Sequence, residues 1–112
     1  MIIQQGTTSK MSLPLKDLFA AEQLENIIAI EVVIGTTNQQ IKFHWYSYDF
    51  TKTNLAFDKK TQTLNFTISP EQSHKWRYQV PIQVRIKDKN NTINNSQVFY
   101  AYIQAALSAE DF

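Results

Sequence analysis

His44 and His74 are the only histidines of the chain, and their side chains are the ones best suited to acid–base or metal chemistry. A metal site needs several ligands that converge, and a histidine-based catalytic couple needs a nucleophile and an orienting group. The two histidines fall on different predicted elements, and no carboxylates at ligand spacing lie near either one. The sequence therefore predicts no metal site, no catalytic residue and no enzymatic activity, and it indicates no cofactor.

The remaining reactive residue types are scattered or missing. Asp49 and Asp58 flank a predicted loop, while Glu22 and Glu25 lie near a predicted helical segment, so none has the apolar setting that acid–base catalysis uses. The chain has no cysteine, which excludes disulfides and thiolate ligands. Both glycines stand alone, so the chain has no glycine-rich loop that could bind phosphate.

Positive charge concentrates in the last third of the chain, beside Trp76 and Tyr78. Basic residues interleaved with aromatic residues can bind nucleic acid. However, Arg85 and Lys87 alternate with apolar residues, as solvent-facing charges of a strand do, and the formal net charge is only +1. We therefore expect no nucleic-acid partner. No stretch approaches the roughly 18 apolar residues that cross a bilayer, so no membrane association is predicted.

Aromatic residues cluster around Trp45, Tyr46 and Tyr48, with Trp76 further along the chain. Sugars stack on flat aromatic side chains, so Tyr46, Tyr48 and Trp76 are candidate glycan contacts. Alternating spacing places Trp45 in the core and the two tyrosines on the opposite face of the same strand. A packed core with an aromatic rim is the simpler interpretation, and a carbohydrate-binding module is the alternative.

The elements that hold these side chains are predicted to be mostly β-strands. Apolar residues occupy every second position through Val80, Ile82, Val84 and Ile86, which is typical of a half-buried strand. An Asn-rich turn follows, and a second strand runs towards Leu107. Because Ile82 and Val84 belong to the longest alternating run, they are predicted to lie in the core.

Similar alternation along the rest of the chain predicts a single domain over residues 1–112. The predicted fold class is an all-β, antiparallel, immunoglobulin-like β-sandwich, with a small barrel as the competing architecture. A short helical segment is predicted over residues 17–24 with a cap at Asp17, and a single helical turn is predicted to begin at Pro70. Residues 108–112 are expected to fray. Further strands are predicted over residues 2–5, 11–15, 28–34, 41–46 and 64–68.

Several short motifs occur in a particular order along the chain. They are Ile3-Gln4-Gln5-Gly6-Thr7, Asp17-Leu18-Phe19, the alternating stretch 28–34, Ile68-Ser69-Pro70-Glu71-Gln72, and Ile82-Gln83-Val84-Arg85 with a later strand starting near Ser96. This order resembles a family of small immunoglobulin-like virion proteins from phages of Gram-positive bacteria, including the amino-terminal domain of upper baseplate proteins. The chain departs from the family where Asp88-Lys89-Asn90-Asn91 replaces the usual Asp-Gly of the final turn.

The resemblance implies a structural component of a phage or prophage virion. It implies other virion proteins as partners, no catalytic residues, and a location in the virion after synthesis in the bacterial host cytoplasm. The amino terminus agrees with cytoplasmic synthesis, because it lacks the basic start and apolar run of a signal peptide. Baseplate, tail and head all remain open.

The last predicted strand carries apolar side chains on both of its faces. One sandwich face can bury only one of these two sets, and monomers rarely leave large contiguous apolar patches in water. We therefore predict a subunit interface at Phe99, Ala101 and Ile103. The expected state is a homo-oligomer, or a monomer that associates weakly until a partner protein arrives.

Overall fold

The computed structural model describes residues 1–107, which form nine β-strands in two sheets. Residues 108–112, predicted to fray, lie outside the described residues. The large sheet has the order β1 (Ile2–Gln4), β9 (Phe99–Gln104), β7 (Gln79–Asp88), β3 (Ile27–Ile34) and β4 (Ile41–Tyr46), and β8 (Ile93–Asn95) also pairs with β7. The small sheet has the order β2 (Ser9–Pro14), β6 (Thr63–Ile68) and β5 (Ala56–Asp58).

The two sheets pack face to face as an immunoglobulin-like β-sandwich. In the lettering used for immunoglobulin domains, β2, β6 and β5 correspond to strands B, E and D, while β3, β4, β7 and β9 correspond to C, C′, F and G. The predicted fold class is thereby confirmed, and none of the nine strands within residues 1–107 joins the two sheets into a barrel. One pair differs from the prediction, because β1 runs parallel to β9, with Ile2 opposite Tyr102. The large sheet is therefore mixed rather than wholly antiparallel.

The core lies between the inner faces of the two sheets. Ile82 and Val84 are buried there, which confirms their predicted place. Aromatic packing joins the two sheets at the β4 side of the sandwich. The ring of Phe43 lies 4.9 Å from that of Phe66. The ring of Trp45, also on β4, meets that of Phe57 on β5 edge to face at 5.0 Å.

Helical structure is limited to short segments. The segment predicted over residues 17–24 consists of two 3₁₀ turns, Leu15–Asp17 and Ala21–Leu24, so Asp17 ends the first turn instead of capping a helix. The helical turn predicted to begin at Pro70 is α1 (Pro70–Ser73), and the Ser69 hydroxyl caps it by accepting a bond from the Gln72 N–H. No helix within residues 1–107 is long and apolar enough to cross a membrane.

The Asn-rich turn predicted before the final strand contains a further short strand. This strand is β8, the predicted final strand is β9, and Ser96 lies between them. The Ser96 hydroxyl accepts a hydrogen bond from the Val84 N–H at 3.0 Å, and the Ser96 N–H donates to the Val84 carbonyl at 2.8 Å. The Ser96 hydroxyl thus takes the place of a backbone acceptor. The register of pairing with β7 can therefore change between β8 and β9.

Candidate interaction face of the large sheet

Strand β9 turns the predicted interface residues towards the core. Ala101 is fully buried, Ile103 is almost so, and Phe99 is half-buried against the core. The register explains this orientation, because Ala101 lies opposite Val80 and Phe99 opposite Ile82, and both of these partners point inward. The predicted interface at Phe99, Ala101 and Ile103 is therefore corrected: these residues are packed inside their own domain.

The alternate side chains of the same segment lie on the outer face of the large sheet. Tyr100 is 51% exposed, Tyr102 is 64% exposed, and Val98 just before β9 is 50% exposed. Ile2 of β1 lies opposite Tyr102 and is 64% exposed, while Pro81 of β7 lies opposite Tyr100. We call these five residues the tyrosine patch. Monomeric proteins seldom expose contiguous apolar groups of this kind without a binding role.

A row of polar side chains crosses the other end of the same outer face. Glu31 lies opposite His44 on β4 and opposite Arg85 on β7. The Glu31 carboxylate is 2.8 Å from the His44 Nε2 and 3.6 Å from the Arg85 guanidinium, whose Nε also donates to Asn95. We call His44, Glu31, Arg85 and Asn95 the polar row. Its side chains are partly solvated, so the Glu31–Arg85 ion pair adds little stability, on the order of 1 kcal/mol or less.

The polar row separates two shallow grooves. One, of about 180 Å³, is lined by Tyr46, Lys87 and Ile93 together with all of the row except Asn95. The other, of about 360 Å³, lies towards the tyrosine patch and reaches Val98 and Lys42. These grooves are open surfaces of a sheet, and within residues 1–107 no three His, Asp or Glu side chains come together as metal ligands. The face is suited to contact with a macromolecule.

Aromatic rings continue from the polar row along β4. The rings of His44 and Tyr46 are almost parallel with centroids 5.7 Å apart, and the Tyr46 and Tyr48 centroids are 5.5 Å apart. Burial raises the pKa of the Tyr46 hydroxyl, and nearby Tyr48, Glu31 and Asp49 raise it further. The hydroxyl therefore stays protonated at neutral pH and can donate a hydrogen bond.

Trp76, the third predicted glycan contact, does not join these rings. It lies in the core. Its backbone carbonyl accepts a hydrogen bond from the buried amide of Gln5 at 3.0 Å, which holds the segment between α1 and β7 against the end of β1. The predicted set is thus corrected to Tyr46 and Tyr48, and only Tyr48 is largely exposed. The sequence could not predict the burial of Trp76, because the single turn predicted to carry it is too short to show a pattern of buried and exposed positions.

The outer face of the small sheet has a different character. Its exposed side chains on these two strands are polar or charged, with Lys10 and Ser12 on β2 and Asn65 and Thr67 on β6. The contrast identifies the outer face of the large sheet, with its tyrosine patch and polar row, as the candidate interaction face.

Comparisons with known proteins add a likeness in fold only. No protein-family model matches the sequence, and no curated protein matches it. Among similar solved structures is one of murine CRIg, which shares 6% sequence identity over 95% of this chain and 91% of that chain, with a TM-score of 0.43. That likeness carries no argument about function. The strand order and the outer face define an immunoglobulin-like β-sandwich with a candidate interaction face.

Proposed function

We propose that this chain is a non-enzymatic structural protein of a phage or prophage virion, which acts by binding other virion proteins, including copies of itself. The observation that carries the proposal is the tyrosine patch, where Tyr100, Tyr102 and Ile2 lie exposed side by side on a regular sheet. The order of motifs along the chain supports the virion context.

The composition of the patch is that of a protein-binding centre. Tyr side chains bury a large apolar area on binding and keep a hydroxyl for hydrogen bonding, and they are enriched among the residues that contribute most to binding. The polar row lies beside the patch, as the charged rim of an interface does, and can select the orientation of a partner. The patch would supply affinity and the row would supply specificity.

The test of the binding face is the substitution Tyr102→Glu. A charge at the centre of a buried interface is strongly unfavourable, so we expect association with the chain itself or with a virion partner to weaken about tenfold or more. Tyr48→Glu is the matched control, because Tyr48 is as exposed as Tyr102 but lies beyond β4 at the other end of the sheet. Sedimentation velocity over a concentration series, with and without virion proteins, measures the effect.

Two results would count against this role. The first is equal weakening by both glutamate variants, which would mean that charge alone and not the patch determines association. The second is a chain that binds neither itself nor any component of the virion. Separately, mass spectrometry of virions released after prophage induction should detect the chain, and its absence would contradict the virion assignment.

A carbohydrate-binding module is the second candidate. Tyr46 and Tyr48 favour it, because their rings lie next to each other and Tyr46 lines a groove together with Lys87 and Ile93. A glycan array compared between the chain and Tyr48→Ala tests this candidate. Binding that Tyr48→Ala removes would support it, and an array without any bound glycan at high protein concentration would exclude it.

A further inference from the structure

Among the described residues, no strand pairs with the outer edge of the six-residue strand β2. The Leu15 N–H donates to the Gln62 carbonyl at 2.9 Å, which fixes the phase of the β2–β6 ladder. Because antiparallel ladders alternate, Met11 and Leu13 direct their backbone groups to β6, while Lys10 and Ser12 direct theirs away from it. Within residues 1–107, no other hydrogen bond reaches these outward groups. The edge is therefore free to accept a further strand.

Pro14 agrees with this assignment of the edge. It occupies the next outward position after Ser12, and it has no N–H. Proline is tolerated in a sheet where its missing donor would have faced solvent. The backbone donors of the free edge are thus Lys10 and Ser12, and Pro14 contributes only its carbonyl.

The other sheet edges are short or covered. Strands β1, β5 and β8 have three residues each. The edge of β4 is closed by the following loop, because the Asn54 side chain accepts from the His44 N–H and the Thr53 hydroxyl accepts from the Tyr46 N–H at 3.0 Å. In immunoglobulin domains of the constant type, a strand A lies beside strand B, but here β1 pairs with β9 instead. The position next to β2 is therefore vacant.

We propose that a second copy of this chain occupies the vacant position, with the two β2 strands antiparallel about a two-fold axis at Ser12. The two small sheets would then form one continuous sheet across the dimer. This contact does not involve the tyrosine patch. Its experimental tests are therefore independent of the proposed function.

The register centred on Ser12 makes the strand complementary to itself. Each Ser12 exchanges both backbone hydrogen bonds with the partner's Ser12, and each Lys10 N–H donates to the carbonyl of the partner's Pro14. The core-facing Met11 lies opposite the partner's Leu13, which places apolar beside apolar. The two Lys10 residues lie four positions apart along the ladder, roughly 13 Å, so their charges do not oppose each other. Pro14 has no N–H to return, so the Lys10 carbonyl is the one outward group of this register that keeps its bond to water.

A single strand pair buries less surface than a standard interface, so the contact forms with a concentration-dependent population. Chemical cross-linking can capture such a contact. Because the chain has no native cysteine, a thiol-specific reagent reacts only at the introduced cysteine. Ser12→Cys places two thiols at the axis, about 5.5 Å apart at their Cα atoms, whereas Lys10→Cys places them roughly 13 Å apart. With a short thiol-specific cross-linker we expect a covalent dimer of Ser12→Cys and none of Lys10→Cys. Equal cross-linking of both variants, or none of either at high concentration, would overturn the proposal.

A second variant tests the backbone bonds directly. Ser12→Pro removes the outward N–H without touching the β2–β6 ladder, while Ser12→Ala keeps that N–H and serves as its control. We expect Ser12→Pro to abolish self-association through this edge and Ser12→Ala to retain it, in a background carrying Tyr102→Glu so that the tyrosine patch makes no contribution. Dimerisation of Ser12→Pro equal to that of Ser12→Ala would refute the edge contact.

Amide exchange in the unmodified chain does not depend on how either variant folds. We expect the Ser12 amide to exchange more slowly as protein concentration rises, because pairing buries it between two strands. Exchange at Ser12 that does not change over the concentration series would equally overturn the proposal.

Discussion

The side-chain amide of Gln5 and the backbone carbonyl of Trp76 are joined by a buried hydrogen bond of 3.0 Å between residues far apart in sequence. The same amide nitrogen also donates to the His74 carbonyl at 3.1 Å, and the amide oxygen accepts from the Ala106 N–H at 3.3 Å. One buried side chain thus joins the end of β1, the segment before β7 and the chain that follows β9. It fixes the end of the sheet on which the tyrosine patch lies.

Gln5→Leu should destabilise the fold by about 1–3 kcal/mol, because it removes the buried amide that donates to the His74 and Trp76 carbonyls and leaves the Ala106 N–H without its acceptor. The Arg77 guanidinium still donates to both carbonyls. Gln4→Leu is the matched control, since Gln4 is exposed and its substitution should change the free energy of unfolding by about 0.5 kcal/mol or less. Urea denaturation measures both variants. Equal losses would show that the Gln5 hydrogen bonds do not stabilise the fold.

Ile82→Ala should lower the free energy of unfolding by about 2–4 kcal/mol, because it leaves a cavity between two packed sheets. Val84→Ala tests the next inward position on β7. The exposed Lys42 on β4 provides the control, and Lys42→Ala should fall within about 0.5 kcal/mol of the unmodified chain. A loss under about half a kcal/mol at both core positions would mean that the faces of β7 are assigned the wrong way round.

The two glycines are expected to respond differently to alanine. Both have a positive φ, +71° at Gly6 and +114° at Gly35. An added Cβ at Gly35 would overlap the backbone oxygen of Gln39 in the β3–β4 turn, whereas at Gly6 it would meet no atom within 4 Å. Gly35→Ala should therefore be more destabilising than Gly6→Ala by about 1 kcal/mol or more. Equal losses in thermal or urea unfolding would contradict the clash.

Asp49 should show a pH response that depends on Thr51. The Thr51 hydroxyl donates to the Asp49 carboxylate at 2.6 Å, and this bond is the main cause that lowers the pKa of Asp49 below its ordinary value of 3.8. A lowered pKa in the folded state means that the carboxylate stabilises the loop fully above pH 3.8, and that this contribution is lost as pH falls through the folded-state pKa.

Thr51→Val should raise the Asp49 pKa part of the way to its ordinary value, because the backbone hydrogen bond from residue 51 remains. Thr51→Ser keeps the hydroxyl and should leave the Asp49 pKa low. An NMR titration of the carboxyl group measures both variants. An Asp49 pKa that does not move in Thr51→Val would show that the hydroxyl is not its cause.

The sequence determined which segments form strands, because burial of one face leaves an apolar–polar alternation that needs no knowledge of the partner strand. It therefore predicted β3, β4, β6 and β7, the inward side of Ile82 and Val84, and the sandwich architecture. Ser69 and Pro70 likewise predicted the start of α1 from local chemistry alone. Short strands such as β5 and β8 have too few residues to show an alternating pattern.

Only the tertiary structure decided which face of β9 points inward. Both sets of its side chains are apolar, so alternation gave no preference between Ala101 and Tyr102. The register with β7 made the choice, by setting Ala101 opposite the inward Val80 and Tyr102 opposite the outward Gln79. The parallel pairing of β1 with β9 and the burial of Trp76 depend in the same way on contacts between segments distant in sequence. The apolar residues along one strand indicate how much of the strand is buried. Its pairing with neighbouring strands determines which of its two faces points to the core.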